Sequence, residues 1–171
     1  MVLIHWSVLG LVAAIFAIGW GRDLIEDHGL KSVFTDIHRL MGLIVAALVL
    51  VRIVLRRSMG PAMDSELPPL LRWGSLASQV VMYGLLIGIP VIGLMQTAAA
   101  HAHISLFGVI PLPRLAPHDR AQAEALVELH GNLAWGLFGL IGLHASAALW
   151  HHYVKKDGVL MAMLGRVRPA I

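Results

Sequence analysis

Cysteine is absent from the 171 residues. That removes disulfides, thiolate chemistry and cysteine-bound iron–sulfur clusters. Charge is scarce as well: 13% of residues are charged against 58% hydrophobic, and the mean hydropathy is +0.77. Charge is missing outright from Met1–Trp20, Trp73–Pro113 and Leu129–Tyr153. Each block is at least as long as the roughly 20 residues a helix needs to cross the hydrocarbon core of a bilayer. Leu40–Leu55 is interrupted only by Arg52, close enough to its end to snorkel to the interface. The first block has neither a basic leading region nor a small-x-small cleavage pattern, so it is expected to be a membrane span rather than a secretory signal. An internal repeat is lacking too. What remains is an all-α, membrane-spanning four-helix bundle, a single domain over 1–171 with spans at about 2–20, 37–56, 74–98 and 126–151.

The few charges are unevenly placed. With four spans, the 52–72 segment and the C-terminal tail fall on one side, carrying eight basic residues (Arg52, Arg56, Arg57, Arg72, Lys155, Lys156, Arg166, Arg168) against three acidic ones (Asp64, Glu66, Asp157). The opposite side has five basic residues (Arg22, Lys31, Arg39, Arg114, Arg120) against seven acidic. Lysine and arginine accumulate on the cytoplasmic side, so both termini are expected there. The formal charge of +3 and pI near 9.8 are thus a topology signal that also suits anionic lipid headgroups. They need no nucleic acid. Trp6, Trp20, Trp73 and Trp150 sit near the expected span ends, where amphipathic rings anchor. The outer segment AHAHISLFGVIPLPRLAPHD has three prolines, too many for a fifth span.

Histidine is where the apolar runs break their own rule. His130 and His144 stand 14 residues apart in one run, which is about 21 Å along a helix and within about 40° of the same face. With the fourth span running inward, His130 shares the outer level with His38 and His144 the inner level with His5. A lone histidine in a membrane helix more often serves a structural hydrogen bond than a ligand role. Four that pair by depth, under a topology taken independently from charge, are better explained as ligands, since ionisable groups at that depth are costly. Zinc wants three or four donors converging on one point. Two donors per level, from different helices, suit a flat cofactor between opposed axial imidazoles, namely two haems b. Both would be noncovalent, because a thioether link needs cysteine. With both axial positions filled, such a centre transfers electrons and has no open site for oxygen.

Other residues admit a functional reading beside a plain one. Gly10, Gly42, Gly136 and Gly142 give a porphyrin room near the backbone, or simply let helices pack. Arg22 and Arg39 at the outer end, and Arg52 and Arg56 at the inner end, are candidates for haem propionates, or anchor the interface. His28, His101, His103 and His118 lie on outer segments, where exposed histidines usually bind nothing. His151 is seven residues beyond His144, almost two turns on and on the same face, at the inner mouth. It is the candidate for holding or protonating a small molecule there, and His152 points elsewhere.

The sequence resembles the bacterial cytochrome b561 family. The resemblance spans nearly the whole chain and rests on the order and spacing of IHW at 4–6, DIHRLMG at 36–42, VRIVLR at 51–56, PVIGL at 90–94, LHGNLA at 129–134 and GLHASAALWHHYVKKDGVL at 142–160. It implies a diheme cytochrome of the bacterial inner membrane, with haem ligands at His5, His38, His130 and His144, the same four selected by depth. The chain differs from the family pattern at its start, where family members carry more residues before the IHW histidine, and in its outer loop. One branch of the family resembles superoxide oxidases, which take electrons from superoxide at the periplasmic face and pass them to ubiquinone. Others serve as cytochrome or membrane-anchor partners of a separate redox protein. The helix-four segment favours the former. The two-residue acidic excess outside does not by itself attract an anion, so local clustering of Arg22, Lys31, Arg39 and Arg114 has to override it.

The charge asymmetry gives a direct test of sidedness. Reporter fusions at the C-terminus and in the Pro61–Leu70 loop are expected to read cytoplasmic, and fusions near Pro111 periplasmic; the reverse pattern would exchange the donor and acceptor faces.

Overall fold

The computed structural model describes residues 1–58, 69–101, 105–156 and 159–165. Pro61, Asp64, Glu66, Pro68, Asp157, Arg166 and Arg168, which entered the sidedness argument, lie outside the described residues, as does His103. The helices are α1 (Val2–Gly21), α2 (His28–Ser58), α3 (Pro69–Ala100), α4 (Arg120–Trp150) and the short α5 (Val159–Met163). A 3₁₀ turn (Arg22–Leu24) follows α1, and a π-helical turn (His151–Lys155) continues α4. Two-residue strands β1 (Ser105–Leu106) and β2 (Ile110–Pro111) form an antiparallel hairpin between α3 and α4.

Four helices are long and apolar enough to cross a membrane. This is the all-α bundle expected from the charge-free blocks. Both α2 and α4 run past those blocks, so polar turns at their outer ends extend beyond the hydrophobic stretch. Large apolar side chains on the outside are the rule here, Leu3 at 82% and Leu143 at 66% exposure among them. In water such a surface would be a liability. In a bilayer it is the solvent-facing side, and the helical ladder satisfies the backbone from within.

Packing follows chain order: α1 lies on α2, α2 on α3, and α3 most extensively on α4. Val8, Val12, Val45 and Val49 form the dry seam between α1 and α2. At the outer end Ala98, Ala99, Ala116 and Ala123 bring α3, the loop and α4 together, the close approach that small residues allow between membrane helices. The Asp119 N–H donates to the Ala99 carbonyl at 3.1 Å. The Asp119 side chain caps α4 by accepting the Gln122 N–H. The closing seam, α1 against α4, is made differently. Its outer half is a stack of four aromatic rings, Phe16, Trp20, Trp135 and Phe138, with centroids 5.3–5.8 Å apart. At the inner end the Trp6 indole N–H donates to the Met163 carbonyl at 2.8 Å, tying α5 to the start of α1.

The outer hairpin is held by one buried carboxylate. Phe107 and Gly108 at its tip both have left-handed φ, +52° and +72°, as the central residues of the Leu106–Val109 turn, closed by the Val109 N–H on the Leu106 carbonyl. Glycine adopts this freely; phenylalanine does not. Asp36 of α2, 6% exposed, compensates. Its Oδ2 accepts the Phe107 N–H at 3.0 Å, while Oδ1 takes the Arg39 guanidinium at 2.7 Å. Both oxygens of a buried charge are therefore partnered, the condition under which its burial is tolerated. Asp36→Ala is expected to free the 105–111 hairpin and to destabilise the fold by about 1.5–3 kcal/mol, the cost of losing hydrogen bonds to a charged group. Hydrogen exchange of the Phe107 amide checks this: protection should drop there while α1 stays protected.

Candidate functional site

The bundle brings the four depth-matched histidines together as two pairs. At the outer level His38 of α2 faces His130 of α4, with ring centroids 6.2 Å apart and planes inclined at 55°. At the inner level His5 of α1 faces His144 of α4 at 6.4 Å and 66°. These separations have a chemical meaning. A metal–imidazole nitrogen bond is about 2.0–2.1 Å, and a ring nitrogen lies roughly 1.1 Å from the ring centre, so two imidazoles trans across one metal ion stand about 6.3 Å apart. Stacked rings would sit closer, and a direct hydrogen bond between them is absent. Among the described residues no cluster of three or more His, Cys, Asp or Glu could hold a bare metal ion. Two imidazoles at this spacing are compatible with a metal ion whose other ligands a planar cofactor would supply.

The space around the outer pair agrees. A cavity of about 370 Å³ opens between the helices, with His38 and His130 in its wall beside Phe16, Trp20, Leu86 and Leu137. Its size and apolar lining are those of a cofactor site. Arg22 and Arg39 both line it, and no carboxylate does. Asp36 and Asp23 stand just outside, the first on Arg39 and the second 3.7 Å from Arg22 and 3.4 Å from Lys31. The cavity's two arginines are thus each accompanied by a carboxylate that stands outside its wall. Gln96 was invisible in the sequence reading. Its Oε1 is buried in this wall with no hydrogen-bond partner, as is the Arg22 Nε. Buried polar atoms are rarely left so: the Arg22 N–H can donate to a carboxylate of a porphyrin, whereas the Gln96 oxygen accepts and calls for a donor.

Glycine clearance takes a form the sequence reading did not anticipate. Beside Gly10, Gly136 and Gly142 there is open space, and Gly42 faces the Pro90 ring at ordinary contact. The glycines that meet the histidine rings are Gly19 and Gly93. A Cβ at Gly19 would lie 3.4 Å from His38 Cε1, and one at Gly93 3.3 Å from His130 Cε1. The recurrence of Ile-x-x-Ile-Gly in α1 (15–19) and α3 (89–93) is the signal that marks them.

The inner level is built differently. Arg52 reaches from α2 so that Nη1 lies 2.8 Å from His5 Nδ1. Its buried Nε has no hydrogen-bond partner. Arg56 is exposed in the last turn of α2. His151, half-buried, opens the π-helical turn, its ring 5.4 Å from that of Trp150. His152 stacks on Tyr153 at 4.8 Å, and the Lys155 ammonium lies over the Trp150 ring. His28, His101 and His118 are exposed on outer segments, in none of these groupings.

With this geometry in view, the comparison with known proteins is decisive at the family level. The chain matches the family model for prokaryotic cytochrome b561 over residues 1–166. It belongs to that family. Cytochrome b561 homolog 2 of Escherichia coli K12 is 30% identical over 164 residues, covering 95% of this chain and 87% of the relative. A probable superoxide oxidase CybB of Yersinia pestis is 31% identical over 169 residues, with 96% and 93% covered. Cytochrome b561 homolog 1 of Escherichia coli K12 is 26% identical, with 96% and 94% covered. As a prokaryotic cytochrome b561, the protein is a multi-pass inner-membrane protein that transfers electrons across the membrane through haem b. The outer cavity, its opposed imidazoles and its two arginines fit that group.

Proposed function

We propose that this single membrane domain, residues 1–171, binds two noncovalent haems b, one between His38 and His130 and one between His5 and His144. In this reading it oxidises superoxide at the periplasmic face and reduces ubiquinone at the cytoplasmic side, with both termini cytoplasmic. The observation that carries it is the pair of ring separations, 6.2 and 6.4 Å, at two depths of one bundle. When bound, haem supplies a reversible one-electron iron centre. His38 with His130, and His5 with His144, would hold the group and leave it no open site for an oxygen species, so the chemistry it would supply is electron transfer. Arg22 and Arg39, which line the outer cavity, would hold carboxylates of the cofactor at the outer end. The Asp36 clamp keeps Arg39 at that wall. The family resemblance to a probable superoxide oxidase at 31% identity adds support for the donor.

At the inner end Arg52, already against His5, supplies the cation nearest that pair, and Arg56 stands at the lipid interface. Ubiquinone needs two protons with its two electrons. His151 supplies a hydrogen bond and a proton at the level where hydrocarbon gives way to headgroups. Its place in a π-helical turn suits this, since such turns concentrate at functional sites.

The two-haem reading is tested by a pyridine haemochrome assay, which should give two haems per chain; one or none would overturn it. His38→Ala and His130→Ala should deplete the same haem, and His5→Ala and His144→Ala the other.

The acceptor side is tested separately, by stopped-flow reduction with superoxide followed by reoxidation with a short-chain quinone. His151→Ala should keep both haems and fast reduction but reoxidise about 10-fold or more slowly, the scale of a lost general acid; His152→Ala should resemble the parent protein. Wild-type reoxidation in His151→Ala would move the quinone elsewhere. Haems that accept electrons only through a second redox protein would favour the alternative, a non-catalytic cytochrome b or membrane-anchor subunit.

A further inference from the structure

An imidazole binds iron through Nε2 only if the proton sits on Nδ1, and what Nδ1 faces decides this. In the outer pair, Nδ1 of His38 and Nδ1 of His130 are buried and make no hydrogen bond of ordinary geometry. Each ring nevertheless faces one backbone carbonyl on a helix other than its own: Ile15 of α1 for His38, and Ile89 of α3 for His130. In both cases the carbonyl belongs to the residue four before the glycine that the ring touches. A helical carbonyl has two lone pairs and gives one to the N–H four residues on. The second is ordinarily screened by the side chain of that later residue, and at Gly19 and Gly93 there is none.

The alternative for such glycines is close packing of two helices. The neighbours argue otherwise. Within 4 Å of a Cβ built at Gly19 the atoms are His38 Cε1 (3.4 Å) and Nδ1 (3.7 Å); at Gly93 they are His130 Cε1 (3.3 Å) and Nδ1 (3.4 Å). Among the described residues, no backbone of another helix and no other side chain beyond the glycine's own chain neighbours comes so near. The space these glycines leave is used by the imidazoles alone.

We propose that Gly19 and Gly93 are positioning residues for the outer haem: each opens a notch in a neighbouring helix through which the facing histidine donates Nδ1–H to the Ile15 or Ile89 carbonyl, leaving Nε2 for iron. The carbonyl can only accept, so the notch admits one tautomer. It also holds the ring plane, because the ring is clasped between the notch and the metal. This rests on the two-haem reading and extends it from the ligands to the backbone that aims them. The inner pair is different. Arg52 stands 2.8 Å from His5 Nδ1 and can only donate, so Arg52 has to release His5 before its Nε2 can take iron, a demand the outer pair does not face.

The test uses the full-length haem-loaded protein with Gly19→Ala, Gly93→Ala and, as baseline, Gly74→Ala, whose Cβ meets open space. Haem per chain, potentiometric titration and the low-spin EPR signal of each haem are measured. Gly93→Ala, with the shorter contacts, should hold the outer haem about 10-fold or more weakly, the usual effect of losing a partner that orients a metal ligand. In both notch variants the outer haem's EPR signal and midpoint potential should shift while the inner haem's stay put. Should Gly93→Ala fail to fold, Gly19→Ala decides alone, its contacts being milder. Variants indistinguishable from Gly74→Ala would overturn the proposal, and so would equal loss of both haems, which marks general damage. A parent protein without two haems would instead bring down the two-haem reading itself.

Discussion

The structure is organised by the cost of holding an imidazole in hydrocarbon. A neutral histidine there has one donor and one acceptor to satisfy and no water to do it. Four such rings in one small bundle are tolerable only if each faces something useful. They face one another, in pairs, at separations that accommodate a metal ion and neither a stack nor a hydrogen bond. The apolar wall of the outer cavity, and the buried Nε–H groups of Arg22 and Arg52 that lack a hydrogen-bond partner, are consistent with a carboxylate-bearing planar group.

The same constraint separates the two faces of the molecule. The outer level is closed off by a hairpin pinned to Asp36 and walled by aromatic rings, and its charged lining is cationic. The inner level has a looser boundary, where α4 passes into a π-helical turn and a short terminal helix returns to Trp6.

Much of this was legible in the residues. Long charge-free runs announce spans because a bilayer tolerates little else, and the four histidines announce themselves by expense. Their pairing followed from rise per residue together with a topology read from charge, and His130 and His144 do lie on one uninterrupted helix. Other features had no local signature. Asp36 reads as an ordinary acid near a span end; only the left-handed φ of Phe107, seventy-one residues on, gives it a purpose. Gln96 sits in a run where one amide looks incidental. The glycines chosen from the sequence were those near the histidines in chain order, yet Gly19 and Gly93 meet them across helices. Proximity along a chain is a poor guide when the partner is another helix's backbone.

One feature of α4 has a mechanical side. It contributes a histidine to each level, so the interval between levels is measured by a single helix rather than by the loops that join different ones. That makes α4 a ruler. Each residue added or removed between His130 and His144 would shift one level by about 1.5 Å and turn its ring by about 100° relative to the other. The loops carry no such demand, for they only have to return α1 and α2 to their places against it. The segment least free to change length is thus the plainest in composition, while the irregular outer loop is free to vary around a gap it does not set.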